Sequence, residues 1–367
     1  SGIVYDKDGH IITNYHVISM LIYYPDRYRA ELVDHDGERM EITLLGIDVL
    51  NDLAVVYADT EPAAFFRLAP VDIKQGVRLY SLGYPLDIGI SIVEGTYNGF
   101  MEKSFYRKIH FTGSLNPGMS GGPAIDRSGR VVGVNVATAG NQVSFLVPVR
   151  AVIELVDETP GAGEGPRGNF LESISTQLLS HQKEYFHEDV FRLDDHVELG
   201  DYVLPGSPAS FVDCWGNGSQ SDDQPYEILN HNCSGNDPVF ISSDERALSV
   251  SFQHSVITSR GLNRFRFYDL FSSMFGSGYS GYYGNEDEVT GFDCTTRFVK
   301  SNDITFKTVF CLRKHRKLEG LYDAIFKAAA LGSMETGLET TLTMNGVGYD
   351  TAVGLAQRYL GEISWKE

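Results

Sequence analysis

Asn116-Pro117-Gly118-Met119-Ser120-Gly121-Gly122-Pro123 sets one hydroxyl among three glycines and between two prolines. Glycines here let the backbone turn sharply, so the amides of Gly118 and Ser120 can both point at an oxyanion forming on an attacked carbonyl. By itself such a stretch reads as an ordinary turn. Upstream, however, stand Thr13-Asn14-Tyr15-His16-Val17 and Asn51-Asp52-Leu53-Ala54-Val55. A serine hydroxyl is a weak nucleophile until a neutral imidazole takes its proton, and that imidazole works only when a carboxylate holds its other nitrogen. A lone histidine after a strand, or a lone aspartate before one, is ordinary. His16, Asp52 and Ser120 in this order, each at the edge of an apolar run, predict a catalytic triad.

Around these residues the pattern is that of β-structure. Ile3-Val4-Tyr5, Ile11-Ile12-Thr13, Glu41-Ile42-Thr43-Leu44-Leu45 and Val131-Val132-Gly133-Val134 are short β-branched runs. Lys7-Asp8-Gly9, His35-Asp36-Gly37 and Arg127-Ser128-Gly129 between them are hairpin-turn signals. No long segment before residue 150 carries helical periodicity.

Residues 1 to about 155 resemble the trypsin-like serine endopeptidases of the HtrA/Deg type. The resemblance extends beyond the triad to Ser1-Gly2-Ile3-Val4-Tyr5, Asp8-Gly9-His10-Ile11-Ile12-Thr13-Asn14 and Gly46-Ile47-Asp48 in a first barrel. Gly76, Leu82-Gly83-Tyr84-Pro85 and Val93-Glu94-Gly95 resemble the start of the second barrel, and Gly133-Val134-Asn135-Val136-Ala137 with Phe145-Leu146-Val147-Pro148-Val149 the strands after the nucleophile. It implies two packed six-stranded β-barrels with the triad in the cleft between them, and a serine endopeptidase that needs no cofactor. His16 would act as base then acid, Asp52 would orient it, Ser120 would form the acyl-enzyme, and the Gly118 and Ser120 amides would make the oxyanion hole.

The sequence departs from that pattern in places. Met119 stands where relatives have an asparagine or aspartate, so no ion pair to a newly cut N-terminus can form there. The methionine is expected either to pack against the second barrel or to leave the oxyanion loop dependent on another contact. The numbered chain begins where relatives have a preceding strand and leader, so the first barrel is expected to close differently or to draw on a segment outside these residues. Ser114, six residues before Ser120, brings no charge to the primary pocket. Leu115 with Val136 and Ala137 suggests a shallow apolar pocket for small or medium aliphatic side chains, and the backbone of Val136 to Thr138 is expected to pair with substrate as an added strand.

With 367 residues, 42% hydrophobic and 22% charged, the chain is long enough for two or three domains. A net charge of −19 argues against nucleic acid or an anionic membrane as the main partner. No apolar run of membrane-spanning length occurs. The expected division is a protease domain over 1–156, a Pro/Gly-rich linker over 157–168 and an accessory α+β domain over 169–367, making the whole mainly β. Val203-Leu204-Pro205-Gly206-Ser207-Pro208-Ala209 resembles one PDZ signature, but the rest of that pattern does not follow, so an unfamiliar domain is expected.

All four cysteines, Cys214, Cys233, Cys294 and Cys311, fall in the accessory region. Three pairings are possible, and 214–233 with 294–311 closes the shortest loops. An even number in one domain favours disulfides and an exported, periplasmic or secreted, protein over buried thiols in a cytosolic one. The spacing does not suggest zinc, although His231 lies close to Cys233. His181, His187 and His196 fit no metal-helix spacing and read as surface residues. Ser219 to Asp223 reads as a solvated acidic loop, and Phe275 to Gly284 as a Gly/Ser/Tyr-rich surface loop able to contact a partner. Ala247–Phe252, Asp303–Phe310 and Thr340–Met344 read as strands, Leu318–Leu331 as a helical stripe, and Asp350 as the cap of a short terminal helix. A competing expectation, motivated by Met119 and the acidic aromatic accessory region, is a binding or adhesion protein that keeps a protease fold without needing hydrolysis.

Overall fold

A computed structural model of the chain describes residues 1–85, 88–138, 140, 142–159, 161, 168–219, 224–276 and 284–366. It divides into one unit of Ser1–Gln177 with Val239–Glu245, and a second of Leu178–Pro238 with Arg246–Glu367. The split differs from the expected boundary at 169 for identifiable reasons. Gln177 Nε2 donates to the Ile47 carbonyl and its Oε1 accepts from the Val49 amide, which draws the start of a helix into the first unit. The Tyr15 hydroxyl donates to the Ile241 carbonyl, which draws in a segment from much later in the chain. Most of the expected linker, the acidic loop beyond Ser219 and most of the Gly/Ser/Tyr loop lie outside the described residues.

In the first unit, β1 (Ile3–Val4), β2 (His10–Thr13), α1 (Tyr15–Tyr23), β3 (Glu31–Val33), β4 (Arg39–Asp48) and β5 (Leu53–Ala58) come first. Their five strands form a sheet in the order β1-β2-β5-β4-β3. Next come β6 (Arg78–Gly83), β7 (Ser91–Phe100), β8 (Ile109–Phe111), β9 (Pro123–Ile125), β10 (Val131–Thr138) and β11 (Ser144–Pro148), closed as a barrel in the order β10-β11-β8-β7-β6-β9. The second six-stranded barrel implied by the resemblance is present. The first is an open five-stranded sheet among the described residues, because its end strands are only two and three residues long and each pairs on one side alone. Helices α2 (Val149–Glu158) and α3 (Phe170–Tyr185) follow, and α2 runs past the expected domain end at 156.

Sheet, barrel and α2 share one core: Ile3, Ile12, Leu53 and Val55 pack with Val131, Val134, Val147, Val149 and Val152. A second cluster fills the barrel, with Leu79, Phe111, Leu115, Met119, Ala124 and Leu146. Helix α1 buries Tyr15, Ile18, Ser19, Ile22 and Tyr23, a repeat of three and four that nine residues make hard to see in the sequence.

The second unit is α+β. Seven antiparallel strands run in the order Val212–Ser219, Tyr226–Gly235, Ser249–Ser259, Thr336–Gly348, Leu321–Leu331, Ile304–Lys314 and Asp293–Ser301, accompanied by helices at Arg264–Gly276 and Tyr349–Gly361. Each disulfide ties residues directly opposite on adjacent strands, Cys214 to Cys233 and Cys294 to Cys311. With those sulfurs bonded to each other, His231 beside Cys233 has no thiolate partners for a metal site.

Two local expectations are corrected. Leu321–Leu331 is a strand, not a helix: it lies between two strands and is buried on both faces, so its apolar run needs no alternation and its alanines yield to tertiary context. Gly348, not Asp350, occupies the N-cap of the last helix, and Asp350 sits in its first turn, where an acid suits the helix dipole. His187 and His196 are exposed and His181 is half-buried. No described helix is long and apolar enough to cross a membrane.

Candidate active site

His16 enters from the first turn of α1, immediately after β2, and Asp52 from the tight turn between β4 and β5. Asp52 adopts a left-handed backbone at φ 55°, which aspartate tolerates better than most residues. Its carbonyl accepts from the Tyr15 amide at 3.2 Å and from Asn14 Nδ2 at 2.8 Å. Asn14 holds the N-cap position of α1 but makes no side-chain cap; its buried carboxamide is used on Asp52 instead.

Both carboxylate oxygens of Asp52 are then committed to His16. Oδ1 accepts from the His16 amide at 2.8 Å and Oδ2 from Nδ1 at 2.6 Å. Nδ1 therefore carries the proton, and Nε2 is left with the lone pair that a general base needs. The pair is partly shielded, with side-chain exposure of 28% for His16 and 18% for Asp52.

Ser120 comes from the loop between β8 and β9, on the barrel. Gly121 lies against the end of β2: a Cβ there would fall 2.4 Å from Thr13 Oγ1 and 2.3 Å from the Ser1 carbonyl, and its φ of +83° suits only glycine. This close approach brings the Ser120 loop to the strand that ends just before His16. Among the described residues no hydrogen bond joins Ser120 Oγ to His16.

Gly118 and Ser120, expected to supply the oxyanion hole, flank Met119 in the same loop. Gly118 is exposed with φ +97°, and among the described residues neither its amide nor that of Ser120 has an acceptor. Met119 between them is fully buried in the barrel core. What fixes the loop instead is Asn135 on β10, which the sequence reading did not single out. Its Nδ2 donates to the carbonyls of Met119 at 3.2 Å and Leu82 at 3.1 Å, while its Oδ1 accepts from Ser81 Oγ at 2.8 Å. Its backbone brackets the same loop, taking the Gly121 amide at 2.9 Å and donating to the Gly122 carbonyl at 2.9 Å. A second tie comes from Ser1, whose Oγ donates to the Gly118 carbonyl at 2.7 Å and accepts from the Tyr84 amide at 3.1 Å. A buried asparagine on an otherwise apolar strand is the signal that could have found the first of these.

The expected pocket residues fare differently. Leu115 is buried in the barrel core, with its amide donating to Ser144 Oγ, and Val136 packs against the core shared by sheet and barrel. Among the described residues neither core cluster includes His16, Asp52 or Ser120. Val136 lies at a bulge in the β10–β11 pairing, which frees its backbone. For Ala137 and Thr138 only the backbone pairing to Phe145 and Ser144 is described. Ser114 is exposed and uncharged.

Residues 1–134 match the trypsin-like peptidase domain family. Residues 1–134 are a trypsin-like peptidase domain, of the HtrA/Deg type that its curated relatives share. Over 181 residues the chain is 34% identical to "Protease Do-like 5, chloroplastic" of Arabidopsis thaliana, covering 42% of this chain and 55% of that protein. Over 197 residues it is 26% identical to a "Probable periplasmic serine endoprotease DegP-like" of Chlamydia trachomatis, covering 50% of this chain and 38% of the other. A crystal structure of Deg5 is 32% identical with a TM-score of 0.36, covering 42% of this chain and 79% of that one. The chain thus spans about half the length of the curated relatives it matches.

Proposed function

We propose that the protein is a serine endopeptidase that cleaves proteins or peptides through an acyl-enzyme. His16 takes the Ser120 proton and later returns one to the leaving amine, Asp52 keeps the imidazole in the productive tautomer, and the Gly118 and Ser120 amides receive the oxyanion. The observation that carries this reading is the double grip of Asp52 on the amide and Nδ1 of His16. Asp6 holds the amide and Nδ1 of His10 in the same way, but His10 is buried, whereas His16 is partly exposed and can offer its Nε2 to a substrate-bound partner.

The uncharged Ser114 supports acceptance of an uncharged, small or medium aliphatic side chain at the scissile residue. The two disulfides support export to an oxidising compartment. The second unit serves substrate recognition, localisation or regulation of the peptidase domain. A fluorophosphonate probe tests the central reading. Covalent labelling at Ser120, abolished in Ser120→Ala with the fold retained, is expected; an unlabelled native protein, under reducing and oxidising conditions alike, overturns it in favour of a binding protein on a protease scaffold.

A further inference from the structure

Val239–Glu245 lies in the first unit although Pro238 before it and Arg246 after it lie in the second. Its seating in the peptidase domain is specific. The hydroxyl of the fully buried Tyr15 donates to the Ile241 carbonyl at 2.7 Å. The turn that follows closes on itself: the Ile241 and Ser242 amides donate to the Glu245 carbonyl at 3.2 and 3.3 Å, and the Glu245 amide donates to Ser242 Oγ at 3.2 Å. Val239, Ile241 and Ser242 are buried, which leaves Phe240 half-buried between locked neighbours.

The Phe240 ring meets His16, with centroids 5.9 Å apart at 66°, and also Tyr15, at 6.1 Å and 73°. Its place beside the imidazole has a consequence for substrate. Side chains of an extended peptide point alternately to opposite sides. If the scissile residue directs its side chain towards the barrel and Ser114, the residue before it directs its own towards α1 and His16. That is the space Phe240 occupies.

We propose that Phe240 is a specificity-determining residue, the aromatic wall of the subsite that receives the side chain preceding the scissile residue, and that it favours small side chains there. This rests on the triad reading above. A glycine, alanine or serine fits beside the ring, whereas a branched or aromatic side chain must displace a ring whose backbone is held by the Tyr15–Ile241 bond and the closed turn. The selectivity is supplied by a stretch of chain that lies outside the part shared with the family, since the matched residues end at 134.

The test uses the full chain and two fluorogenic peptides that differ only by alanine or leucine before the scissile residue. Native protein is expected to favour alanine in kcat/KM, and Phe240→Ala to move the alanine-to-leucine ratio towards leucine by about tenfold or more, the scale on which apolar pockets discriminate. Phe240→Leu, which keeps apolar bulk in the segment, is expected to move the ratio the same way and serves if the alanine variant does not fold. A ratio unchanged within about twofold in a folded variant overturns the proposal. Fluorophosphonate labelling of native Ser120 is measured first. Labelled protein with an unchanged ratio sinks only the Phe240 assignment, whereas unlabelled native protein sinks the peptidase reading and this proposal with it.

Discussion

Replacing Asp52 by asparagine changes one atom and tests the core of the mechanism. Asp52 Oδ1 accepts from the His16 amide and Oδ2 from Nδ1, so both positions require acceptors. An asparagine offers one acceptor and one donor. If its oxygen keeps the backbone amide, its NH2 faces Nδ1 and forces the imidazole proton onto Nε2, where it cannot accept from Ser120. If the amide flips, two donors meet at the 2.8 Å site, and an unsatisfied donor costs about 1–3 kcal/mol before the lost stabilisation of the imidazolium is counted. Together these predict a kcat loss of about 10,000-fold, or about 5.4 kcal/mol of transition-state stabilisation at about 1.36 kcal/mol per decade. Steady-state hydrolysis of a peptide and the rate of fluorophosphonate labelling read it, with thermal unfolding as the control for folding. Activity within about tenfold of native protein, in a folded Asp52→Asn variant, would refute the assignment of Asp52 as the orienting group.

Asn135→Asp keeps the acceptor for Ser81 but sets a carboxylate against the Leu82 and Met119 carbonyls; we expect kcat to fall about 10- to 100-fold with KM little changed, less than the loss from deleting an oxyanion donor. Equal effects on kcat and KM from steady-state kinetics would argue against a role in shaping the oxyanion loop. Burial pushes the His254 imidazole down to about 3, against the favourable bond to the Pro205 carbonyl, so the unfolded chain takes up this proton first. Stability is therefore full above about pH 6.5 and is lost as pH falls from there towards 3, by up to about 1.4 kcal/mol per unit; urea unfolding at pH 7 and 4.5 should show a shallower loss in His254→Gln. Replacing Cys294 and Cys311 together by alanine opens a loop spanning 17 positions and should cost the second unit about 3 kcal/mol in denaturant unfolding, while Ser120 labelling persists. Loss of labelling in parallel with that destabilisation would show that the active site depends on the bridge.

The pairing of His16 with Asp52 was legible from residue types and order, because an imidazole and a carboxylate each at the edge of a β-run meet a chemical requirement that few residues meet. The β-rich character of the first unit was legible for a similar reason: alternation and turn residues are local properties. Local patterns failed where both faces of an element are covered. Leu321–Leu331 looked helical because burial on two sides removes the alternation that marks a strand. Leu115 shows the same limit: near Ser120, an apolar residue fits a pocket and a core equally well until its neighbours are known.

By itself, then, the sequence determined which side chains could do the chemistry, since nucleophile, base and orienter are defined by functional groups. Tertiary structure alone decided what holds and surrounds them. Asn135 grips the Met119 carbonyl, Gly121 abuts Thr13, and Phe240 reaches His16 from more than 200 positions away. Those contacts depend on the path of the backbone in space, and no local spacing of residues encodes them.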